Sequence, residues 1–120
     1  MKLLAVCSAA LLLAGAAAAK EHRCAADARA QALKFLPAFY AQTGGELAPE
    51  EGEPKEGQAP GVMNWALDET VTALPEAADG TAEVLEVNGF VYKATFRMRF
   101  LYLKDVTDSC VLVGEEILAQ

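Results

Sequence analysis

Apolar and polar residues alternate from Tyr92 to Phe100, and every second residue from Phe90 to Tyr102 is apolar or aromatic. Phe90, Tyr92, Ala94, Phe96, Met98, Phe100 and Tyr102 share one parity, and Lys93, Thr95, Arg97 and Arg99 share the other. Period-two spacing of this kind puts the aromatic set on one side of a β-strand and the basic set on the other. The preceding stretch from Thr81 reads as the second arm of a hairpin, with Asn88-Gly89 as its two-residue turn. That register pairs Val87 with Phe90, Leu85 with Tyr92 and Thr81 with Phe96 on an apolar face. It also sets Glu86 opposite Val91 and diagonal to Lys93 on the other face. At about 3.4 Å per residue, a strand from Phe90 to Tyr102 reaches ~45 Å. A 100-residue domain with a radius of gyration of ~13 Å is only ~34 Å across. The strand is therefore expected to curl, or to break near Ala94-Thr95.

Upstream, Ala25 to Gln42 is rich in alanine and free of glycine, with Leu33, Leu36 and Tyr40 at helical spacing and Ala26 and Ala30 extending the stripe backward. This predicts an amphipathic helix, interrupted or kinked at Pro37 and ended by Thr43-Gly44-Gly45. Residues 46–61 hold three prolines, five glutamates and one lysine, with Leu47 as the one apolar anchor. They read as an exposed, mobile acidic loop. From Val62 to Leu74 the pattern fits a short helix or turn around Asn64 to Glu69 followed by an edge strand, with Trp65 packed on the core.

After a turn at Lys104 to Ser109, Cys110 to Leu118 reads as the last strand. The favoured parity sets Val111 against Tyr102, Val113 against Phe100 and Ile117 against Phe96 inside, and Glu116 against Arg97 outside. Its consequence is that Cys110 faces outward beside Leu103.

The first nineteen residues change the picture of what this chain becomes. Lys2, an apolar run from Leu3 to Leu13 and a small-residue tail ending Ala17-Ala18-Ala19 precede the charged Lys20-Glu21. This is the pattern of a secretory signal peptide, cleaved after Ala19, and its plain Leu/Ala character reads as bacterial. The expected address is the periplasm or the outside of the cell. The apolar run falls short of the about 20 residues that cross a bilayer as a helix. Cys7 lies within that run and Cys24 follows charged residues, so no membrane anchor is expected.

Removal of residues 1–19 leaves 20–120, enough for a single domain with one core. The expected class is α+β: one N-terminal helix packed on a curled three- to four-stranded antiparallel sheet, closed by one disulfide. Cys24 and Cys110 are the cysteines that survive cleavage, and in an oxidising compartment they are expected to pair. Their spacing fits neither a CxxC redox pair nor a zinc site.

The formal charge of −7 becomes −8 once Lys2 is removed, which argues against nucleic acid and anionic lipid as partners. The charge is also segregated. Residues 46–86 hold eleven acids and one lysine, whereas 87–104 hold Lys93, Arg97, Arg99 and Lys104 with no acid. The sequence carries no GxSxG, HExxH or phosphate-cradling glycine loop, and its single histidine, His22, falls at an expected frayed terminus. The acidic loop lacks the alternating ligands of a calcium site. Neither catalysis nor a cofactor or metal is expected.

The leading expectation is a secreted, non-catalytic binding module, an inhibitor or an envelope accessory protein, monomeric or weakly dimeric. Its interaction face is Lys93, Arg97, Arg99, Leu101 and Leu103, turned toward an acidic protein or a carboxylate ligand. The alternative is a small-molecule carrier, with an apolar pocket between the helix and Tyr92, Phe96 and Tyr102.

Overall fold

The computed structural model describes residues 22–52, 55–75, 80–106 and 108–120. The expected signal peptide and its expected cleavage point lie outside these residues. The elements are α1 (Ala25–Gln42), β1 (Glu46–Leu47), β2 (Val62–Met63), β3 (Trp65–Ala73), β4 (Ala82–Val91), β5 (Ala94–Leu103) and β6 (Leu112–Ala119). Strands β3-β4-β5-β6 form one antiparallel sheet in that order, and β1 and β2 form a separate parallel pair. The class is α+β, with α1 against one face of the sheet.

The helix forms where alanine content favours it and runs through Pro37, which lacks an N–H for the helical ladder. Its buried side is Ala25, Ala28, Ala32 and Leu36, so small side chains stand where the helix comes closest to the sheet. Phe35 meets Phe100 edge-on with ring centres 6.0 Å apart, and Phe39 and Tyr40 meet Phe96 at 5.8 and 5.7 Å. The stripe expected from Ala26, Ala30 and Leu33 is turned to solvent instead. Alanine tolerates either side of a helix, so the apolar period alone left the phase open; the phenylalanines set it by docking on β5.

The hairpin joins β4 and β5 as expected, but it turns at Tyr92-Lys93, with Val91 opposite Ala94, Gly89 opposite Phe96 and Leu85 opposite Phe100. Asn88-Gly89 lies inside β4. Moving a turn by four residues changes the pairing by an even number, so most side chains keep the face that parity assigned them. Phe96, Met98, Phe100 and Tyr102 are buried toward the helix, and Arg97, Arg99, Leu101 and Leu103 point away. Phe90 and Tyr92 are the casualties of the shift: Phe90 joins the outer side of β4, and Tyr92 stands at the turn with φ of 50° and 75% exposure. The length conflict is thus met by a break into two ten-residue arms and not by a curl.

Trp65–Ala73 form the edge strand β3, which begins within the expected short helix or turn around Asn64 to Glu69 and includes the edge strand expected after it. Residues 68–70 form an irregularity in its pairing with β4, where the Thr70 N–H donates to Asp68 Oδ1 (3.0 Å). The acidic segment is also less free than its composition suggests. Leu47 and Ala48 are buried, Ala48 N–H donates to the Met63 carbonyl (2.9 Å), and Gly52 pairs with Trp65. Trp65 is buried as expected, and its Nε1–H donates to the Ala48 carbonyl (2.8 Å). The mobile-loop expectation for 46–61 is corrected for residues 46–52, which cap the β3 edge of the sheet; residues 55–57 and 59–61 are exposed.

A bulge in β6 settles the orientation of Cys110. Gly114 opposes Leu101, but Leu112 opposes Tyr102, so Val113 is an extra residue in the ladder. Without it, Val113 and Val111 would face the core and Cys110 would face out. With it, Leu112 packs on the core, Val111 and Val113 are exposed, and Cys110 turns inward to bond Cys24. The two Cα atoms are 5.6 Å apart, closing a separation of 86 residues. Downstream of the bulge Ile117 keeps its inward face, two places along from the expected register: it opposes Met98, and Glu116 opposes Arg99.

Candidate functional site

The face of the sheet that α1 does not cover is built from alternate residues of three adjoining strands. Across β4, β5 and β6 its rows are Asn88–Arg97–Leu118, Glu86–Arg99–Glu116 and Val84–Leu101–Gly114, with Leu103 beside Ala82 at the end. Parity along β5 thus brings Arg97, Arg99, Leu101 and Leu103 into one line, as the sequence predicted. Lys93 is not in that line: it sits in the turn with its Nζ 5.4 Å from the Tyr92 ring centre. A basic side chain in the turn has no strand neighbour, so it folds over the adjacent aromatic ring.

The two arginines differ in their surroundings. Arg99 Nε donates to Glu86 Oε2 (3.1 Å), and its Nη1 lies 3.7 Å from Glu116 Oε1. Glu86 retains only 12% side-chain exposure, so this pair is shielded on one side. Arg97 has no carboxylate partner among the described residues. Its Nε and Nη2 meet the side-chain oxygen of Gln120 at 2.8 and 3.0 Å once that amide is oriented to its hydrogen-bond partners. Beside it, Leu118 (42%) on β6 and, diagonally, Phe90 (41%) on β4 expose apolar surface. The arrangement is a cation with unused charge set among apolar side chains, which can hold a carboxylate and exclude water from it.

The apolar pocket expected from Tyr92, Phe96 and Tyr102 does not form. Phe96 and Tyr102 are core side chains, 5% and 0% exposed, in space already filled by Phe39, Tyr40, Met98 and Phe100. Tyr92 lines a shallow groove at the hairpin tip with Trp65, Ala66 and Phe90. Tyr102 instead donates its hydroxyl to Asp27 Oδ2 (2.7 Å), and burial together with that carboxylate pushes its ionisation well above the usual tyrosine range.

Two polar clusters escaped sequence reasoning. Glu51, within the acidic segment, accepts the Leu67 N–H on Oε2 (3.0 Å) and the Arg29 guanidinium on Oε1 (2.9 Å). Burial raises its carboxyl pKa, but the Leu67 N–H and Arg29 together outweigh burial and hold it below the usual value. The second cluster heads the helix. His22 accepts the Cys24 N–H on Nδ1 (3.0 Å), so its proton is on Nε2 and is donated to Glu83 Oε2 (2.9 Å). Arg23 reaches the same carboxylate at 3.4 Å and donates to the Leu103 and Val106 carbonyls. The terminus expected to fray is therefore pinned, because the disulfide fixes Cys24 and two strand ends supply partners.

Comparison of the chain with models of protein families, with curated proteins and with solved structures gives no match in any of the three.

Proposed function

We infer that the protein is an exported, non-catalytic binding module, made of residues 20–120 after removal of its signal peptide, with α1 as the first element of the mature chain. Its outer sheet face docks an acidic protein partner in the cell envelope. The observation that carries this reading is the contrast along β5: Arg99 is neutralised by Glu86 and Glu116, whereas Arg97 has no carboxylate partner among the described residues and stands beside the exposed Leu118 and Phe90. A carboxylate supplied from outside completes Arg97 and gives the partner its register. Leu118 and Phe90 supply apolar area, and Leu101 and Leu103 extend the face along the strand. The carrier reading is left without the pocket it requires.

The test compares wild-type protein with Arg97→Glu, both immobilised and exposed to envelope extract at low and high salt. A single species held by the wild type at low salt, released by salt and refused by Arg97→Glu is the expected result. Equal retention by the two proteins, with both folded by circular dichroism, overturns the proposed face.

A further inference from the structure

We propose that Gln120 is the positioning residue of the outer face: it holds the Arg97 guanidinium through an uncharged amide and so leaves the far end of that guanidinium, with its full charge, for a carboxylate of the partner. The inference rests on Arg97 as the docking cation and adds how that docking is built. Gln120 N–H donates to the Thr95 carbonyl (2.8 Å), which carries the β5–β6 ladder past Ala119. Gln120 therefore shares the parity of Leu118 and stands diagonal to Arg97 on the outer face. Its side-chain oxygen accepts from Arg97 Nε at 2.8 Å and from Nη2 at 3.0 Å. The opposite orientation would set the amide nitrogen against guanidinium donors, so the hydrogen-bond partners decide which atom faces the arginine.

Arg99 presents the case in which a carboxylate takes that same edge. Its Nε donates to Glu86 Oε2 at 3.1 Å, and the pair cancels its charge. At Arg97 an amide oxygen takes the Nε edge, which fixes the plane of the guanidinium and neutralises nothing. Nη1 and the far hydrogen of Nη2 are left over, and neither nitrogen meets a carboxylate among the described residues. Together they form an end-on fork whose parallel N–H groups match the oxygens of a carboxylate. An arginine already held in place gives up less side-chain freedom when that carboxylate arrives. The exposed Leu118 and Phe90 beside it favour a partner whose carboxylate is flanked by apolar groups. Gln120 supplies the hold, and Arg97 supplies the charge.

The experiment labels the arginine nitrogens of the full chain for magnetic resonance and titrates a blocked tripeptide carrying a glutamate between leucines, with its glutamine counterpart as control. In the wild type the Arg97 Nε–H should exchange slowly with water, and the glutamate peptide alone should shift the Arg97 Nη signals. Gln120→Ala should speed that exchange and weaken peptide binding by about two- to tenfold. Gln120→Glu should keep the slow exchange and abolish the shift, because a carboxylate on the Nε edge holds the guanidinium and cancels its charge. Gln120 is exposed, so circular dichroism should be unchanged in both variants. Equal exchange at Arg97 in wild type and Gln120→Ala, or a Gln120→Glu protein that binds the peptide as the wild type does, overturns the role of Gln120; a wild-type shift seen alongside leaves Arg97 standing as the docking cation. A wild type whose Arg97 signals ignore the glutamate peptide overturns the docking reading itself, and the role of Gln120 falls with it.

Discussion

Gly89 lies directly beneath Leu36. A Cβ at this position would come within 2.8 Å of Leu36 Cδ2 and 3.0 Å of Met98 Cε, both on fully buried side chains. The glycine that looks like a hairpin turn in the sequence is where the helix sits down on the sheet. Its lack of a side chain serves a close approach of elements, which is the other use of glycine in a strand.

Filling that position should strain the core. Gly89→Val adds a branched side chain where Leu36 and Met98 already meet, and overpacking of this kind costs about 1–3 kcal/mol. The expected result is a lower urea midpoint with an unchanged m-value. Pairing Gly89→Val with Leu36→Ala should recover part of the loss, because the two changes share one space. A single mutant as stable as the wild type would show that α1 does not rest on Gly89.

The bulge at Val113 makes a second prediction. Deleting Val113 removes the residue that has no partner, so Gly114 and Leu112 still oppose Leu101 and Tyr102 and Cys110 still faces Cys24. The deletion should leave the disulfide formed and stability within about 1 kcal/mol of the parent. Free thiol appearing in the deletion variant under non-reducing conditions would contradict the bulge. Reduction of the bond in the parent should have a far larger effect. A closure of 86 residues is worth about 4.5 kcal/mol on the chain-entropy model.

How much of this was legible in the sequence depends on whether a feature is periodic. The apolar parity from Phe90 to Tyr102 gave the faces of β5 correctly even though the turn was misplaced, since parity survives an even displacement. The Cys24–Cys110 bond followed from counting cysteines. The position of the turn was not legible, because Asn88-Gly89 satisfies a local turn preference that packing against Leu36 overrides. Nor was the bulge, since no residue type marks Val113 as the unpaired one. The two arginines of the outer face looked alike until Glu86 and Glu116 were placed beside one of them. Glu51 was hidden for the opposite reason: a carboxylate in an acidic, proline-rich stretch resembles its solvated neighbours, and only its bonds to the Leu67 N–H and Arg29 set it apart.

Glu51 also gives the chain a pH dependence. Its folded pKa lies below the unfolded value, which is about 4.3 for glutamate. A carboxyl depressed by folding contributes stability that is fully present above the unfolded pKa and is lost as pH falls through the folded one. Wild type should therefore lose stability below about pH 4 in part through this group, and Glu51→Gln should flatten that portion of the curve. At pH 7 the same substitution should cost about 1–3 kcal/mol, because it removes the charge from bonds to Arg29 and the Leu67 N–H. Parallel denaturation of the two proteins at pH 3 and pH 7 checks both statements. A constant difference between them across that range would remove Glu51 from the account.

The sharpest prediction contrasts two arginines that differ in sequence by one intervening residue. Arg99→Ala strips the partner from Glu86, a carboxylate with little exposure, and should destabilise the domain by about 1–3 kcal/mol. Arg97→Ala removes no ion pair among the described residues and should change stability by no more than about 0.5 kcal/mol. Binding should show the reverse order. With the partner in hand, Arg97→Ala should weaken the complex and lessen its salt dependence, since the carboxylate it meets belongs to the other molecule. Arg99→Ala should bind nearly as the wild type does wherever it is folded, because its charge is already spent on Glu86 and Glu116. Thermal denaturation and a salt series of binding isotherms on the two variants decide the matter: equal effects of both substitutions on both measurements would mean that the outer face is a solvated surface and that its charge serves the fold alone.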